Sequence, residues 1–131
     1  VEVQVARGCR IQPSDLVGGV EAIESPRVLL KTGTFPAVHA WNDDFAAVSV
    51  ELVEALAARG VMIVGIDTPS VDLMTSKDLP AHHALLKHDI NIIEGINLAG
   101  VKAGHYTLLA QPLKLMGFDA SPIRAVLAEP I

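Results

Sequence analysis

Across residues 45–59 the apolar side chains Val48, Leu52, Val53, Leu56 and Ala57 recur at helical spacing, and Gly60 follows directly. That period predicts a helix with one buried face, ended by the residue that most readily takes the left-handed conformation. The next six residues, Val61-Met62-Ile63-Val64-Gly65-Ile66, are an unbroken, largely apolar run before Asp67-Thr68-Pro69-Ser70. A short apolar run bounded by turn chemistry predicts a strand covered on both faces. On the other side of the helix, Ser25-Pro26 introduces Arg27-Val28-Leu29-Leu30-Lys31-Thr32, a β-rich run closed by Gly33. Strand, helix and strand in that order form a crossover joining parallel strands, so the predicted class is α/β, a mixed β-sheet core with flanking helices.

The remaining segments fit that class. Residues 13–23 offer Ser14 as an N-cap and apolar positions at helix-compatible spacing, which predicts a short helix, although Gly18-Gly19 interrupts it. Residues 34–44 carry Phe35 and Trp41 without a regular period and predict a long structured loop. A short helix is expected over residues 81–87, a strand over 90–94, and two further strands over 106–110 and 123–128, separated by Pro112 and a Gly117 to Pro122 turn. With no internal repeat, low-complexity tract or linker, 131 residues correspond to about one domain. The first residues, Val1-Glu2-Val3-Gln4, are strand-like at once and lack an initiator Met, as though the chain were entered in mid-domain.

Composition narrows the function classes. Half the residues are apolar, so a packed core is affordable. Ten basic against fifteen acidic residues give a net charge of −5, the wrong balance for a nucleic-acid partner. No apolar run approaches the ~20 residues that span a bilayer, and no basic, signal-like start is present; the expectation is a cytoplasmic protein with no membrane partner. Cys9 is the single cysteine, unable to form an internal disulfide, and is expected to serve as a small hydrophobe. Dinucleotide and P-loop glycine patterns are absent, as is the G-x-S-x-G nucleophile turn.

Chemistry-bearing residues are few. Among five histidines, His82 on the predicted short helix stands twelve residues before Glu94 at the end of the following strand. A helix, a reversal and a strand can bring both side chains to one point, and imidazole plus carboxylate is a zinc-type donor pair, one short of the usual three protein ligands of a catalytic ion. The plainer alternatives are that His82 is a surface or capping histidine and that Glu94 pairs with a Lys or Arg or reaches solvent. His83 must point about 100° away from His82 and is expected on the surface. Asp67 ends an apolar strand where open α/β sheets place ligands, yet Asp67-Thr68-Pro69-Ser70 is equally good turn chemistry. Trp41 and Phe35 either line a pocket for a flat substrate or plug the edge of the core.

Several ordered blocks carry a family resemblance: Val28-Leu29-Leu30-Lys31-Thr32-Gly33-Thr34, Val64-Gly65-Ile66-Asp67-Thr68-Pro69-Ser70, Ala81-His82-His83, Ile92-Ile93-Glu94-Gly95 and Gly117-Phe118-Asp119-Ala120-Ser121-Pro122-Ile123-Arg124-Ala125-Val126. Together they span about residues 10–127 and resemble the metal-dependent cyclase family. The resemblance implies a swivelling β/β/α fold and hydrolysis of an aryl formamide, N-formyl-L-kynurenine, to kynurenine and formate in tryptophan catabolism. It further implies one or two divalent ions, usually Zn2+, with His82 and Glu94 as metal ligands, and a homo-oligomer, commonly a dimer. The family's His-Gly-Thr-His-x-Asp-x-Pro motif, source of the other ligands and followed by a catalytic histidine, has no match here. The chain therefore looks like the C-terminal part, roughly 60%, of a family member of about 210 residues, with no catalytic residue in this segment. The alternatives implied are an inactive piece with a structural or oligomerisation role, or a hydrolase of another amide or lactone.

Overall fold

The computed structural model describes residues 1–37 and 39–129. Its contacts divide into two compact units, Val1–Val101 and Lys102–Ile131. The first unit contains β1 (Arg10–Ile11), β2 (Arg27–Leu30), β3 (Ala47–Val48), α1 (Val50–Ala58), β4 (Ile63–Ile66), α2 (Pro80–Lys87) and β5 (Asn91–Ile93). Three strands form a parallel sheet in the order β2-β4-β5, with Arg27 opposite Ile63 and Ile63 opposite Asn91. β1 and β3 make a separate two-residue parallel pair. The chain thus contains two successive crossovers, one through α1 and one through α2, which pack against each other. The buried set Ile11, Leu30, Val48, Leu52, Leu56, Val64, Ile66 and Leu85 fills the core between these layers.

α1 carries both of its own stops. Ser49, fully buried, accepts the Leu52 N–H at 3.0 Å through its hydroxyl. At the other end Gly60, at φ +75°, donates to the Ala57 carbonyl at 2.9 Å, and Val61 donates to Leu56 at 3.1 Å. That pair of bonds is the Schellman arrangement, and it needs a left-handed residue at Gly60. α2 is different. Leu79, which precedes it, is itself left-handed at φ 43° and supplies no side-chain cap, while Pro80 opens the helix.

Three expectations are corrected. Residues 13–23 are not one helix but two single 3-10 turns, Pro13–Asp15 and Val20–Ala22, because Gly18 and Gly19 both take positive φ between them. The helix expected over residues 45–59 begins only at Val50, because the backbone of Ala47–Val48 is extended and pairs with Arg10–Ile11. Cys9 is exposed rather than a core hydrophobe. His83 is exposed, as expected of its place on the helix.

The second unit is an antiparallel pair, β6 (Thr107–Pro112) and β7 (Ile123–Ala128), with Thr107 opposite Ala128 and Pro112 opposite Ile123. Its connecting loop is held by Ser121, whose hydroxyl accepts the Leu113 N–H at 2.8 Å. Among the described residues no helix is long and apolar enough to cross a membrane.

Replacing Ser49 with Ala leaves a buried N–H of α1 without its acceptor. The expected cost is about 1–2 kcal/mol, read as a lower urea midpoint with an unchanged denaturant slope. An unaltered midpoint contradicts the capping role.

Candidate metal-ligand cluster

Because β2, β4 and β5 are parallel, their carboxyl ends lie on one edge of the sheet, the edge where open α/β folds gather ligands. The turn after β4 and the residues after β5 are tied together there. Gly95 donates to the Thr68 carbonyl at 2.8 Å and Ile96 to the Ile66 carbonyl at 3.2 Å, while the Thr68 hydroxyl donates to Ser70 at 2.9 Å. The Glu94 carboxylate then accepts the Val71 N–H at 2.9 Å through Oε1. His82 sits in the first turn of α2. Its Nε2 lies 3.4 Å from that same Oε1, with the two side chains 35% and 32% exposed.

Asp72 underlies this pair. Its side chain is 1% exposed, and every partner it has is a donor. Oδ1 accepts from Arg10 Nη1 at 3.0 Å and from the Ala81 N–H at 3.2 Å; Oδ2 accepts from the His82 N–H at 3.0 Å and from His82 Nδ1 at 2.9 Å. Asp72 thus caps α2 from outside the helix, nine and ten residues before the two N–H groups it accepts, taking the place of the side-chain cap that Leu79 lacks. Arg10 is anchored in turn on the Val48 carbonyl at 3.0 Å. Burial works against the charged carboxylate. The hydrogen bonds from the His82 ring and backbone, from Ala81 and from Arg10 outweigh it, so the Asp72 carboxyl is held below the usual aspartate value. Neither Asp72 nor Arg10 was singled out from sequence. The one signal was indirect: Leu79, directly before Pro80, has no side-chain acceptor for the first N–H groups of the helix, and Asp78 stands one residue too early for the N-cap position.

Donor chemistry and spacing fit a cation. Two ligands about 2.0–2.2 Å from a tetrahedral ion lie roughly 3.3–3.6 Å apart, and His82 Nε2 and Glu94 Oε1 are 3.4 Å apart. Among the described residues no group of three or more His, Cys, Asp or Glu side chains forms a metal cage. The pair is therefore a partial ligand set by the three-ligand standard of catalytic zinc.

The other candidates lie on the loop after β2 or, in the case of Asp67 after β4, bond to it. Asp67 accepts from the Thr32 N–H at 3.0 Å, the Thr32 hydroxyl at 2.7 Å and the Gly33 N–H at 2.9 Å, so its carboxylate clamps the start of that loop. Thr34 continues the clamp, accepting the Ala46 N–H at 2.9 Å. Phe35, Trp41 and Phe45 meet edge to face, with ring centroids 5.5–6.2 Å apart, and Trp41 is 60% exposed. Phe45 plugs the core while Trp41 presents its surface to solvent.

The sequence matches no protein-family model. It is 50% identical over 103 residues to a protein named kynurenine formamidase from Bordetella avium (strain 197N), covering 79% of this chain and 49% of that one. A protein of the same name from Maricaulis maris (strain MCS10) is 47% identical over 124 residues, 93% of this chain and 58% of that one. A solved structure described as a potential metal-dependent hydrolase with cyclase activity superposes with a TM-score of 0.84 at 30% identity, covering 99% of this chain and 64% of that chain. The α/β fold is thus that of metal-dependent hydrolases and cyclases, the family this chain is similar to. Within it, the curated relatives matched are kynurenine formamidases, and the chain spans about half of their length.

Replacing Asp67 with Ala strips three donors of their acceptor. The expected cost is about 1–3 kcal/mol in thermal or urea unfolding. Full stability in the variant reverses the assignment of Asp67 as a clamp.

Proposed function

We propose that this chain contributes to a metal-dependent arylformamidase that hydrolyses N-formyl-L-kynurenine to kynurenine and formate in tryptophan catabolism. The observation that carries the reading is the 3.4 Å approach of His82 Nε2 to Glu94 Oε1, in a chain about 50% identical to proteins named kynurenine formamidase. His82 and Glu94 are the ligands this chain offers, and Zn2+ suits their nitrogen and oxygen donors. When bound, a divalent ion acidifies water toward neutral pH and polarises a carbonyl, the two requirements of formamide hydrolysis.

The chain's own residues supply binding and order. Glu94 adds negative charge that retains a cation, and its bond to Val71 fixes which oxygen faces His82. Asp67 holds the loop that bears Phe35 and Trp41, and these aromatics are the proposed wall for the aryl ring of the substrate. The remaining ligands and the acid that protonates the departing aniline nitrogen come, in this proposal, from outside these 131 residues. The 131 residues are then part of one cyclase-family domain, cytoplasmic and working as a homodimer by resemblance to the family. The two-donor set also favours a second reading for the chain alone: by itself it is catalytically inactive and structural.

In the intact protein, His82→Ala or Glu94→Ala is expected to abolish tight zinc binding and aryl formamide turnover. Metal analysis after dialysis and a kynurenine absorbance assay check this, and wild-type zinc stoichiometry with turnover in either variant rejects the ligand assignment. Purified protein of the chain's own mass, free of zinc and inactive, supports the second reading; retained zinc and turnover in that species overturn it.

A further inference from the structure

We propose that Asp72 is a positioning residue that fixes His82 in the tautomer whose Nε2 lone pair faces Glu94. The inference rests on the reading of His82 and Glu94 as ligands and goes beyond it, because it says what makes His82 able to ligate at all. A neutral imidazole carries one N–H and one lone pair, and only the lone pair binds a cation. Which nitrogen is which depends on the partner of the other one.

Toward the His82 ring, the geometry leaves Asp72 only the part of acceptor. Its two oxygens meet four donors: Arg10 Nη1 and the Ala81 N–H on Oδ1, the His82 N–H and His82 Nδ1 on Oδ2. The three partners other than the ring cannot accept, since two are backbone amides and the third is a guanidinium. A carboxylate satisfied in this way accepts at both oxygens, so the ring nitrogen that faces it must donate. His82 Nδ1 therefore carries the proton and Nε2 the lone pair, directed to within 3.4 Å of a Glu94 oxygen that already accepts the Val71 N–H. Two electron-rich atoms at this distance repel unless a positive charge lies between them. Arg10 balances the charge of Asp72, which leaves Glu94 to favour the cation.

An amide at position 72 cannot reproduce this pattern. Its NH2 group must replace one oxygen and confront either Arg10 and Ala81 or the two donors of His82. In the second arrangement the ring contact, though not the contact of the His82 backbone N–H, is relieved when the ring moves its proton to Nε2, which removes the metal-binding lone pair.

The test uses the intact protein in three forms: wild type, Asp72→Asn and His82→Ala. Metal-free wild type, labelled with 15N histidine, is examined by long-range 1H–15N correlation at a pH where the ring is neutral. The expected spectrum shows His82 protonated at Nδ1, and protonation at Nε2 overturns the proposal. Zn2+ affinity, measured by competition with a chromophoric chelator, is expected to fall about 10–100-fold in Asp72→Asn. Unchanged affinity in a folded Asp72→Asn protein also overturns it. If that variant does not fold, the wild-type tautomer decides alone. Failure of the ligand reading itself has a separate signature, equal zinc binding by wild type and His82→Ala, which the tautomer measurement does not share.

Discussion

One buried carboxylate holds the functional end of the first unit together. Asp72 takes donors from β1 through Arg10, from the backbone of α2 through Ala81 and His82, and from the His82 ring. Removing it strands four donors and leaves the first turn of α2 uncapped, the kind of loss that costs several kcal/mol when a buried ion pair is broken. The sheet alone does not orient His82. It brings the turn after β4 and the end of β5 together through the Thr68, Ile66 and Gly95 backbone bonds, and Asp72 then turns the helix-borne ring onto Glu94.

The parts of the fold that were legible in the sequence are those with a local physical cause. The helical period and Gly60 marked the body and end of α1, and the apolar run before Asp67 marked β4. The illegible parts depend on distant partners. β1 and β3 are two residues each, too short to show alternation, and the apolar Ala47–Val48 falls in phase with the helix that follows. Ser49 marks the true start of α1, a polar residue hidden within an apolar pattern. In residues 13–23 the apolar spacing suggested a helix, but the two glycines carried the decisive information.

The candidate site divides along the same line. His82 and Glu94 advertise themselves by residue type, and the topology explains why they meet: a helix and the strand after it lie side by side. Asp72 reads as an ordinary turn residue, and Arg10 is 62 positions away from it. The sequence offered two meanings for Asp67, a ligand position and a cap for its own turn; its bonds to Thr32 and Gly33 run instead to a distant loop and join the two loops.

The two helices differ in where their caps come from, and this has a consequence for the His82 ring. α1 is closed at both ends by residues adjoining it, so its hydrogen bonds depend on little beyond its own segment. α2 borrows its N-terminal acceptor from a loop that must first be seated by Arg10, and its first residues do not nucleate without that loan. The placement of the His82 ring therefore depends on β1, the turn following β4 and the start of α2 together. Without that seat, nothing holds the His82 ring at its 3.4 Å separation from Glu94.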